Sequence, residues 1–367
     1  MRILIIGAGP AGCTIARLLA EQGHTVTVLE EHERAGHPVQ CTGIVTPAIS
    51  AFLDIRQVLE NTTTSLQIHA SAHKVSIRST EFVLDRAQYD TMLADAATAA
   101  GASIEYGTRV LDVGQELLCE KDGKRLTRQF DICIGADGPN SIIRRCMFPK
   151  NNTKHIVGLQ AIAEGKFTQE EYQVFFGGSF RDFFAWIVPE SGTRARIGVG
   201  GTKPRKALKS LLKKLRVDAI TYQAGLIPLY DRKNEIYRSQ KNKHFFLLGD
   251  AAAQVKATTG GGLVPQQRCA EHLAGCIKKQ RYRDYSNSLL HSHNRELWVH
   301  RIIRNALDTF SEQDYRDLIE IMSTRSIRNI LATTDRDHAI LLGLRMVIAQ
   351  PRILRFLLRL RRTSSRP

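Results

Sequence analysis

The sequence predicts an α/β fold built on a parallel sheet, to which an antiparallel sheet and a helical region are added. Residues 2–31 contain a buried strand, a glycine-rich turn, a helix and a second strand, which is the order of a βαβ unit. Two later segments, 131–141 and 245–262, each join a buried strand to small residues and an acid. Residues 64–84 alternate between apolar and polar side chains, and 155–200 contain a run of apolar segments, so both are expected to form strands.

Further elements follow from local patterns. An alanine-rich helix is expected at 86–100, and strands are expected over 108–134 with a hairpin at the KDGK turn. Residues 204–216 place leucines at helical spacing with lysines on another face, which predicts a basic amphipathic helix. From about Glu271 the chain is expected to be mostly helical.

Composition indicates a globular protein with acidic partners. The chain has 367 residues, of which 43% are hydrophobic and 24% charged, so it has enough apolar side chains for two domains or one large composite unit. Its formal net charge of +16 favours contact with nucleic acid, an anionic membrane surface, an acidic protein or phosphates. Because zinc-finger spacing and RNP-like aromatic stretches are absent from the sequence, nucleic acid is not expected as a partner.

The cysteines predict neither cross-links nor metal ligands. There are seven, at irregular spacing and without a CxxC pair, so we expect no disulfide framework, no zinc site and no iron–sulfur site. This usage suits a reducing cytoplasm. No apolar run reaches about 18 residues, so a membrane-spanning segment is not expected.

A dinucleotide site is predicted at the first turn. Gly7, Gly9 and Gly12 form G-x-G-x-x-G between a strand and a helix. The first glycine permits the tight turn, the second lets the backbone approach a pyrophosphate, and the third lets the helix pack closely on the strand. Glu30 ends the second strand, 21 residues after Gly9, where its carboxylate suits a ribose hydroxyl.

Two acidic motifs favour FAD over NAD. Asp137 lies in DICIGADGPNS and Asp250 in FFLLGDAAAQVKATTGGG. Each pattern is also compatible with an ordinary strand followed by a turn, since Asp-Gly is common in turns. The second pattern has three consecutive glycines after the acid, which is typical of a backbone that closes on a flat ligand. Asp250 would then accept hydrogen bonds from ribityl or ribose hydroxyls.

Together these motifs resemble the flavoprotein superfamily that includes the aromatic hydroxylases. Within it, the chain is most similar to the geranylgeranyl reductase family, which includes archaeal reductases of digeranylgeranylglycerophospholipids. The similarity spans about residues 1–290 and is sharpest at QCTGI (40–44), VLDRAQYD (83–90), FAWIVP (184–189) and DAAAQVKATTGGG (250–262). It implies a Rossmann-like FAD-binding domain of the p-hydroxybenzoate hydroxylase type, an antiparallel-sheet substrate domain and a helical C-terminal region.

We expect these parts to be interleaved along the chain. The FAD-binding domain is expected to comprise 1–60, 85–150 and 240–285, and the sheet-rich substrate domain 61–84 and 151–239. The helical C-terminal region would then occupy 286–367.

The resemblance implies a set of cofactor contacts. The nucleotide half of FAD would meet Ala11 and Glu30, the pyrophosphate side Arg86, and the adenine the backbone of Val110. Asp250 would bind the ribityl region. The full set of implied cofactor contacts is Gly7, Gly9, Pro10, Ala11, Gly12, Glu30, Cys41, Thr42, Gly43, Arg86, Val110, Asp137, Asp250, Gly261, Gly262 and Leu263.

The resemblance also implies which residues lie beside the flavin ring and the substrate. Cys41, Thr42 and Gly43 would lie beside the flavin, and the backbone N–H groups of Gly261, Gly262 and Leu263 would approach the isoalloxazine oxygen. An aromatic motif that lines the family's lipid tunnel falls on Phe184, Trp186 and Pro189; taken without the resemblance, these are ordinary core residues of a strand. The family has proline at Ala257, tyrosine at Phe184 and phenylalanine at Val188, and these departures bear on substrate shape.

The resemblance implies reduction of C=C bonds in a polyprenyl (geranylgeranyl) chain on a lipid or related isoprenoid. Flavin N5 supplies the hydride in such chemistry, and the protein positions the alkene. Cys41 is the candidate catalytic residue, as a proton donor or as a side chain that only shapes the pocket, and a lone cysteine is more often a small buried hydrophobe. Ferredoxin or NAD(P)H would supply electrons.

The alternatives are an FAD monooxygenase with a hydrophobic substrate and a membrane-docked electron-transfer flavoprotein, although relatives of the latter often carry a cysteine-ligated cluster.

Basic residues concentrate in two helical patterns, 204–216 and 352–362. For the first, a solvated face over a packed one is the default interpretation. The second is rich in arginine and nearly free of acids, which favours an anionic membrane surface. We therefore expect a cytoplasmic protein that is peripheral at the inner face of the cell membrane.

Overall fold

The structure, a computed structural model, describes residues 1–70, 72–289 and 293–358. The strands are β1 Arg2–Ile6, β2 Thr25–Leu29, β3 Ile44–Val45, β4 Leu59–Ala70, β5 His73–Leu84, β6 Ser103–Glu105, β7 Thr108–Val113, β8 Leu117–Lys121, β9 Lys124–Arg128, β10 Ile132–Gly135, β11 His155–Glu164, β12 Glu171–Phe176, β13 Ala185–Pro189, β14 Arg194–Gly201, β15 Asp218–Pro228, β16 Tyr237–Gln240 and β17 Lys243–Leu247. The helices are α1 Pro10–Glu21, α2 Arg86–Ala99, α3 Ile142–Met147, α4 Pro204–Leu215, α5 Leu263–Lys278, α6 Asp284–Leu289, α7 His293–Leu307, α8 Glu312–Ser323, α9 Arg325–Thr333, α10 Ala339–Ala349 and α11 Leu354–Leu358.

The chain divides into two units. The first unit comprises Met1–Val39, Arg86–His155 and Pro228–Trp298, and the second comprises Gln40–Asp85, Ile156–Ile227 and the residues from Val299 onward. These boundaries differ from the expected ones at several places. Residues 151–155 and 228–239 were expected in the substrate domain, whereas they belong to the first unit. The cofactor domain was expected to run to residue 60, whereas residues 40–60 belong to the second unit. The helical region expected at 286–367 is shared between the two units, because the division falls after Trp298.

The first unit is built on a parallel sheet of order β16-β17-β10-β1-β2-β6, with β16 antiparallel at one edge. Ile3 and Ile5 of β1 are almost completely buried, as expected for a central strand that is covered on both faces. In the register of the sheet, Ile6 lies beside both Gly135 and Leu29. The carboxyl ends of β17, β10, β1 and β2 therefore lie at one edge of the sheet, which is where α/β sheets bind ligands.

A smaller sheet of the first unit has the order β7-β8-β9. The hairpin between β8 and β9 turns at Asp122 and Gly123, both at positive φ, which is the geometry of a type I′ turn. The hairpin predicted at KDGK is therefore confirmed.

The second unit is built on a sheet of order β15-β11-β14-β13-β12-β4-β5-β3. The alternating residues at 64–84 belong to two long antiparallel strands, β4 and β5, of which β4 begins earlier than expected, at Leu59. Helix α4 covers one face of this sheet, where Leu208 and Leu211 pack on small and branched side chains such as Ala185 and Ile197. The amphipathic helix predicted at 204–216 is confirmed.

Some elements have no counterpart in the sequence predictions. These are β3, β15, β16 and the short helix α3. Helix α5 was expected in part, and it begins at Leu263, ahead of the expected helical region. The basic pattern predicted over 352–362 is described only to residue 358, as a 3-10 turn at Pro351–Ile353 and α11; Arg359 and Arg362 lie outside the described residues. In the part of the chain that the structure describes, no helix is both long and apolar enough to cross a membrane.

Replacing Gly12 by alanine is expected to destabilise the first unit. A Cβ at Gly12 would lie 1.9 Å from the carbonyl oxygen of Gly7, a backbone atom that cannot move without distorting the turn. We expect the Gly12→Ala variant to lose about 1–3 kcal/mol of unfolding free energy, measured by urea denaturation without added ligand. Gly9→Ala is the matched control, because a Cβ there meets nothing within 4 Å. Equal losses in both variants would contradict the packing argument.

Candidate functional site

The predicted cofactor residues of the first unit meet at one edge of its sheet. Gly7 follows β1, Glu30 follows β2, Asp137 follows β10 and Asp250 follows β17. Since these strands are parallel neighbours, residues that are up to 243 positions apart in sequence are brought together at their carboxyl ends. We call this region the carboxyl edge.

The glycine turn lies directly against the end of β10. Gly7 has φ +99°, and a Cβ there would lie 2.5 Å from the carbonyl oxygen of Ala136. Helix α1 then begins at Pro10 with Gly9 as its N-cap and without a side-chain cap. The N–H groups of its first turn therefore have no partner within the helix, and they face a position that suits an anion. Space is open beside Gly9, where a pyrophosphate is predicted to approach.

Glu30 is tied to the same turn. Its Oε2 accepts a hydrogen bond from the N–H of Ala8 at 2.7 Å, and its Oε1 accepts one from the N–H of His32 at 2.9 Å. The His32 ring lies 2.6 Å from the same Oε1. A carboxylate can accept about four hydrogen bonds, so capacity remains for a ligand hydroxyl.

Asp137 has one satisfied oxygen and one without a partner. Oδ2 accepts the N–H of Ile142 at 2.7 Å and so caps α3. Oδ1 is buried and, among the described residues, has no hydrogen-bond partner. Burial raises the pKa of this carboxyl. A buried acceptor without a donor is costly, which indicates that this edge receives donor groups from a ligand.

Asp250 lies beside the glycine turn. A Cβ at Gly249 would be 2.8 Å from the Cβ of Ala11, so the loop after β17 packs directly on α1. The Nε2 of Gln266 donates to Asp250 Oδ1 at 2.6 Å. Burial raises the pKa of Asp250 to about 6, against the opposing effects of Arg86, the Gln266 hydrogen bond and Arg144.

Arg86 acts on the same edge. Its guanidinium forms a bidentate pair with Asp90, at 3.0 and 2.9 Å, and both side chains are about 10% exposed. Burial raises the pKa of Asp90, and the charge of Arg86 opposes that rise. The charge of Arg86 also opposes the rise in the pKa of Asp250, so it acts on the carboxyl edge.

Val110 lies in β7, opposite Cys119. Two residues earlier, the N–H of Thr108 donates to the carbonyl oxygen of Glu30 at 2.8 Å. This bond brings the start of β7 to the end of β2. The adenine contact of Val110 stays a prediction.

The three glycines after Asp250 lead into a second uncapped helix. Helix α5 begins at Leu263, with Gly262 as its N-cap, no side-chain cap and no acid in the first turn. The N–H of Gly261 donates to the Thr259 hydroxyl at 3.2 Å, so of the three N–H groups predicted to bind the ligand, this one already has a partner. A Cβ at Gly262 would lie 2.5 Å from Gln266 Nε2, so this glycine leaves room for the side chain that holds Asp250.

Two residues of the carboxyl edge were missed by sequence reasoning, Arg144 and Gln266. The Nη1 of Arg144 donates to the carbonyl oxygen of Ala251 at 3.0 Å, and its Nη2 donates to that of Pro139. Burial lowers the pKa of Arg144, and the carboxylates of Asp137 and Asp250 oppose that effect. The available signal was the arginine pair Arg144–Arg145, which follows DGPNS after two isoleucines. It becomes informative only once α3 is known to lie at this edge.

In the second unit, a single buried amide connects Cys41, Thr42 and Trp186. The Oε1 of Gln160 accepts from the Thr42 hydroxyl at 2.8 Å and from the Trp186 indole N–H at 3.3 Å. Its Nε2 donates to the Cys41 carbonyl at 3.3 Å and to Oε1 of Gln223 at 2.5 Å. All four hydrogen-bonding positions of the amide are used, and its orientation is determined because the indole can only donate.

Trp186 reaches Gln160 by crossing a glycine. Gly198 of β14 lies between Trp186 of β13 and Gln160 of β11 in the sheet register. A Cβ at Gly198 would lie 2.2 Å from the indole Cζ2. Because Gly198 has no side chain, the indole of Trp186 can lie over it and donate its hydrogen bond to the amide of Gln160.

Arg196 holds the backbone of the Cys41–Gly43 segment. Its Nη1 donates to the carbonyl oxygens of Thr42 and, at 3.0 Å, Leu84. The buried charge is balanced by Glu190, 2.6 Å from Nε, and by Glu60. The thiol of Cys41 is partly exposed and accepts the N–H of Gly43 at 3.4 Å.

The predicted substrate residues are brought together only in part. Phe184 packs against Trp186 with ring centroids 5.7 Å apart, and it stacks on Phe183 at 4.2 Å. Pro189 ends the same strand, and its carbonyl accepts from Nδ2 of Asn61 at 2.9 Å. Phe184 and Trp186 are 7% and 8% exposed, so they form a buried aromatic cluster. Their contact with a substrate stays a prediction.

The chain is similar in sequence to known proteins. A family model described as "FAD binding domain" matches residues 1–264, which include Gly7, Glu30, Asp137 and Asp250 of the carboxyl edge. A digeranylgeranylglycerophospholipid reductase of Methanosarcina mazei is 27% identical over 300 residues, which cover 71% of each chain. A geranylgeranyl diphosphate reductase of Rhodobacter capsulatus is 29% identical over 283 residues, covering 71% of this chain and 70% of the relative.

The fold is also that of a solved structure. A geranylgeranyl bacteriochlorophyll reductase-like protein of Thermoplasma acidophilum superimposes with a TM-score of 0.84 at 18% identity, over 97% of this chain and 98% of that one. The expected α/β flavoprotein fold with a second sheet and C-terminal helices is confirmed.

FAD is the cofactor, and the carboxyl edge fits it. Two uncapped helix N-termini suit its pyrophosphate and its carbonyl oxygen. The orphaned Oδ1 of Asp137 and the open space beside Gly9 leave room and hydrogen-bonding capacity for it.

FAD affinity is expected to depend on pH through Asp250. Its pKa of about 6 means that it is mostly ionised at neutral pH and becomes protonated as pH falls. Hydroxyl donors bind the ionised form, so FAD binding releases a proton and the Kd should rise by up to about tenfold per pH unit below that pKa. The measurement is a titration of the apoprotein with FAD at a series of pH values. Asp250→Asn should bind more weakly at neutral pH and lose this slope; an unchanged slope would exclude Asp250 as its source.

Loss of the Gln160 amide is expected to destabilise the second unit. Gln160→Met retains the volume but leaves the buried Trp186 N–H and the partly buried Thr42 hydroxyl without their acceptor, at a cost of about 1–3 kcal/mol of unfolding free energy in urea. Gln67→Met is the matched control, because that half-buried side chain makes one weak contact to Glu171 at 3.3 Å. A Gln160 variant as stable as the control would show that the network carries little energy.

Proposed function

The chain belongs to the FAD binding domain family, and from that premise we propose that it uses FAD to saturate C=C bonds of a polyprenyl chain on a lipid or related isoprenoid. The observation that carries the proposal is the similarity, over about 71% of the chain, to relatives that are named as geranylgeranyl-type reductases. The buried aromatic cluster of Phe184 and Trp186 supports it, since an isoprenoid needs an apolar surface.

The residues of the carboxyl edge would hold the cofactor. The first turn of α1 would bind the pyrophosphate, with Arg86 on the same side, and Glu30 a ribose hydroxyl. Asp250 would accept from the ribityl chain, and the N–H groups of Gly262 and Leu263 would donate to the flavin carbonyl oxygen. When bound and reduced, the flavin would supply a hydride to the alkene.

We propose that Cys41 supplies the proton that completes the reduction. The resemblance to the reductase family assigns this position to the flavin. In the structure, Gln160 and Arg196 hold the carbonyls of Cys41 and Thr42, so the segment that carries the thiol is firmly positioned. The thiol would give its proton to the second alkene carbon and regain one from water. The alternative is that Cys41 only shapes the pocket.

Reduced ferredoxin or NAD(P)H would restore the electrons. Helix α4 supports an acidic protein donor, because it exposes Lys206, Lys209 and Lys213 opposite its buried leucines. A complementary charge of this kind raises the rate of encounter and makes it sensitive to salt. The protein would work at an anionic membrane surface, where isoprenoid lipids are found.

An anaerobic single-turnover experiment tests the function. The holoprotein is reduced with dithionite and mixed with a digeranylgeranyl lipid. We expect the oxidised flavin absorbance to return and mass spectrometry to show two added hydrogens per bond reduced. A fully saturated lipid is the control and should leave the flavin reduced. Failure with every prenyl substrate would refute the proposal, and NADPH- and oxygen-dependent hydroxylation would select a monooxygenase instead.

The same experiment distinguishes the two roles of Cys41. If it donates the proton, Cys41→Ala should slow flavin reoxidation by about a hundredfold or more, with a larger solvent deuterium effect in the wild type than in the variant. Cys146→Ala, at a half-buried free cysteine of the first unit, is the matched control. A near-normal rate in Cys41→Ala would leave Cys41 as a pocket residue.

A further inference from the structure

Helix α10 exposes an apolar stripe. Leu341, Leu344 and Ile348 are 51%, 59% and 72% exposed, and their spacing of three and four residues places them on one face. The rest of the helix is anchored: Ala339 is 3% exposed, and Nη1 of Arg345 donates to the Thr334 hydroxyl at 2.7 Å. Helix α10 is therefore held on the second unit while an apolar face of it meets solvent. We call these three residues the α10 stripe.

The chain segment that carries the stripe has positively charged residues and no acidic ones. From residue 338 to 367 the sequence contains seven arginines and no aspartate or glutamate. Arg352 is exposed in the turn Pro351–Ile353, which follows α10 directly. Arg355 is half-exposed and pairs with Asp317 of α8 at 2.6 Å. The carboxylates on this part of the surface come from other elements, and the segment that carries the stripe is cationic throughout.

This combination suits one occupant. Large apolar side chains that share an exposed face usually mark an interaction site. A second copy of the chain, related by a two-fold axis through the stripe, would bring the arginines of both copies together, and like charges oppose such a contact. An anionic bilayer accepts both features, because the apolar side chains enter the boundary between headgroups and acyl chains while the arginines meet phosphates.

We propose that α10 is an interfacial helix that docks the protein on an anionic lipid surface through the α10 stripe and Arg352, which follows the helix. The sequence pattern placed membrane contact at 352–362. The arginines of that pattern supply charge but no large apolar surface. The α10 stripe supplies the apolar surface, so the proposed contact is centred on α10. This docking is independent of the reaction that the flavin performs.

Vesicle co-sedimentation of the holoprotein tests the docking. The vesicles contain equal parts of phosphatidylglycerol and phosphatidylcholine, at low salt. We expect Leu344→Gln/Ile348→Gln to lower the partition coefficient about tenfold or more, and Arg352→Gln about fivefold. Ile220→Gln/Tyr222→Gln is the matched control, because these β15 side chains are 54% and 61% exposed but lie outside the stripe. The control should bind as the wild type does.

Two results would overturn the proposal. One is equal vesicle binding by the stripe variant and the wild type. The other is a wild-type dimer in size-exclusion chromatography that the stripe variant dissociates, since the stripe would then be covered by a second copy. Retained FAD absorbance verifies that each variant is folded. Single-turnover reduction of a detergent-solubilised substrate should be unchanged in the stripe variant, so a failure of docking and a failure of the proposed reaction remain distinguishable.

Discussion

The cofactor site of the first unit depends on the contact between the turn after β1 and the end of β10. Gly7 adopts a positive φ, and its Cα faces the Ala136 carbonyl so closely that no side chain fits. This contact places Asp137 directly behind the glycine turn. Gly12 then packs α1 on Gly7, and Gly249 packs the last parallel strand on Ala11. Three close approaches at glycines thus bring the ends of neighbouring strands together before any ligand contact is made.

The second unit uses a different constraint. Its central residue is a glutamine amide that is buried with all four hydrogen-bonding positions filled. A buried amide of this kind tolerates one arrangement of its partners, because any other leaves a polar group unsatisfied. Gln160 therefore determines where the indole of Trp186 lies and how the Cys41–Gly43 segment leaves the sheet. Arg196 reinforces that segment with a charge that Glu190 and Glu60 balance.

Site residues differ in how well sequence reasoning anticipated them. Gly7, Glu30, Asp137 and Asp250 each stand in a short motif, next to the strand that positions them, so local patterns were sufficient. Arg144, Gln266 and Gln160 stand in no such motif. Arg144 bonds to a carbonyl 107 residues away and Gln160 to groups 118 and 26 residues away. Such pairs become neighbours only through the order of strands in the sheets, which the sequence pattern does not specify.

By itself, the sequence determined the βαβ unit, the glycine turn, the acids at the strand ends, the amphipathic α4 and the excess of positive charge. Each follows from the chemistry of neighbouring residues. The tertiary structure decided which residues share a site, that residues 40–60 belong with the second sheet, and that α10 keeps an apolar face in solvent. The physical reason is the same in each case, since strand order and burial depend on contacts between distant segments.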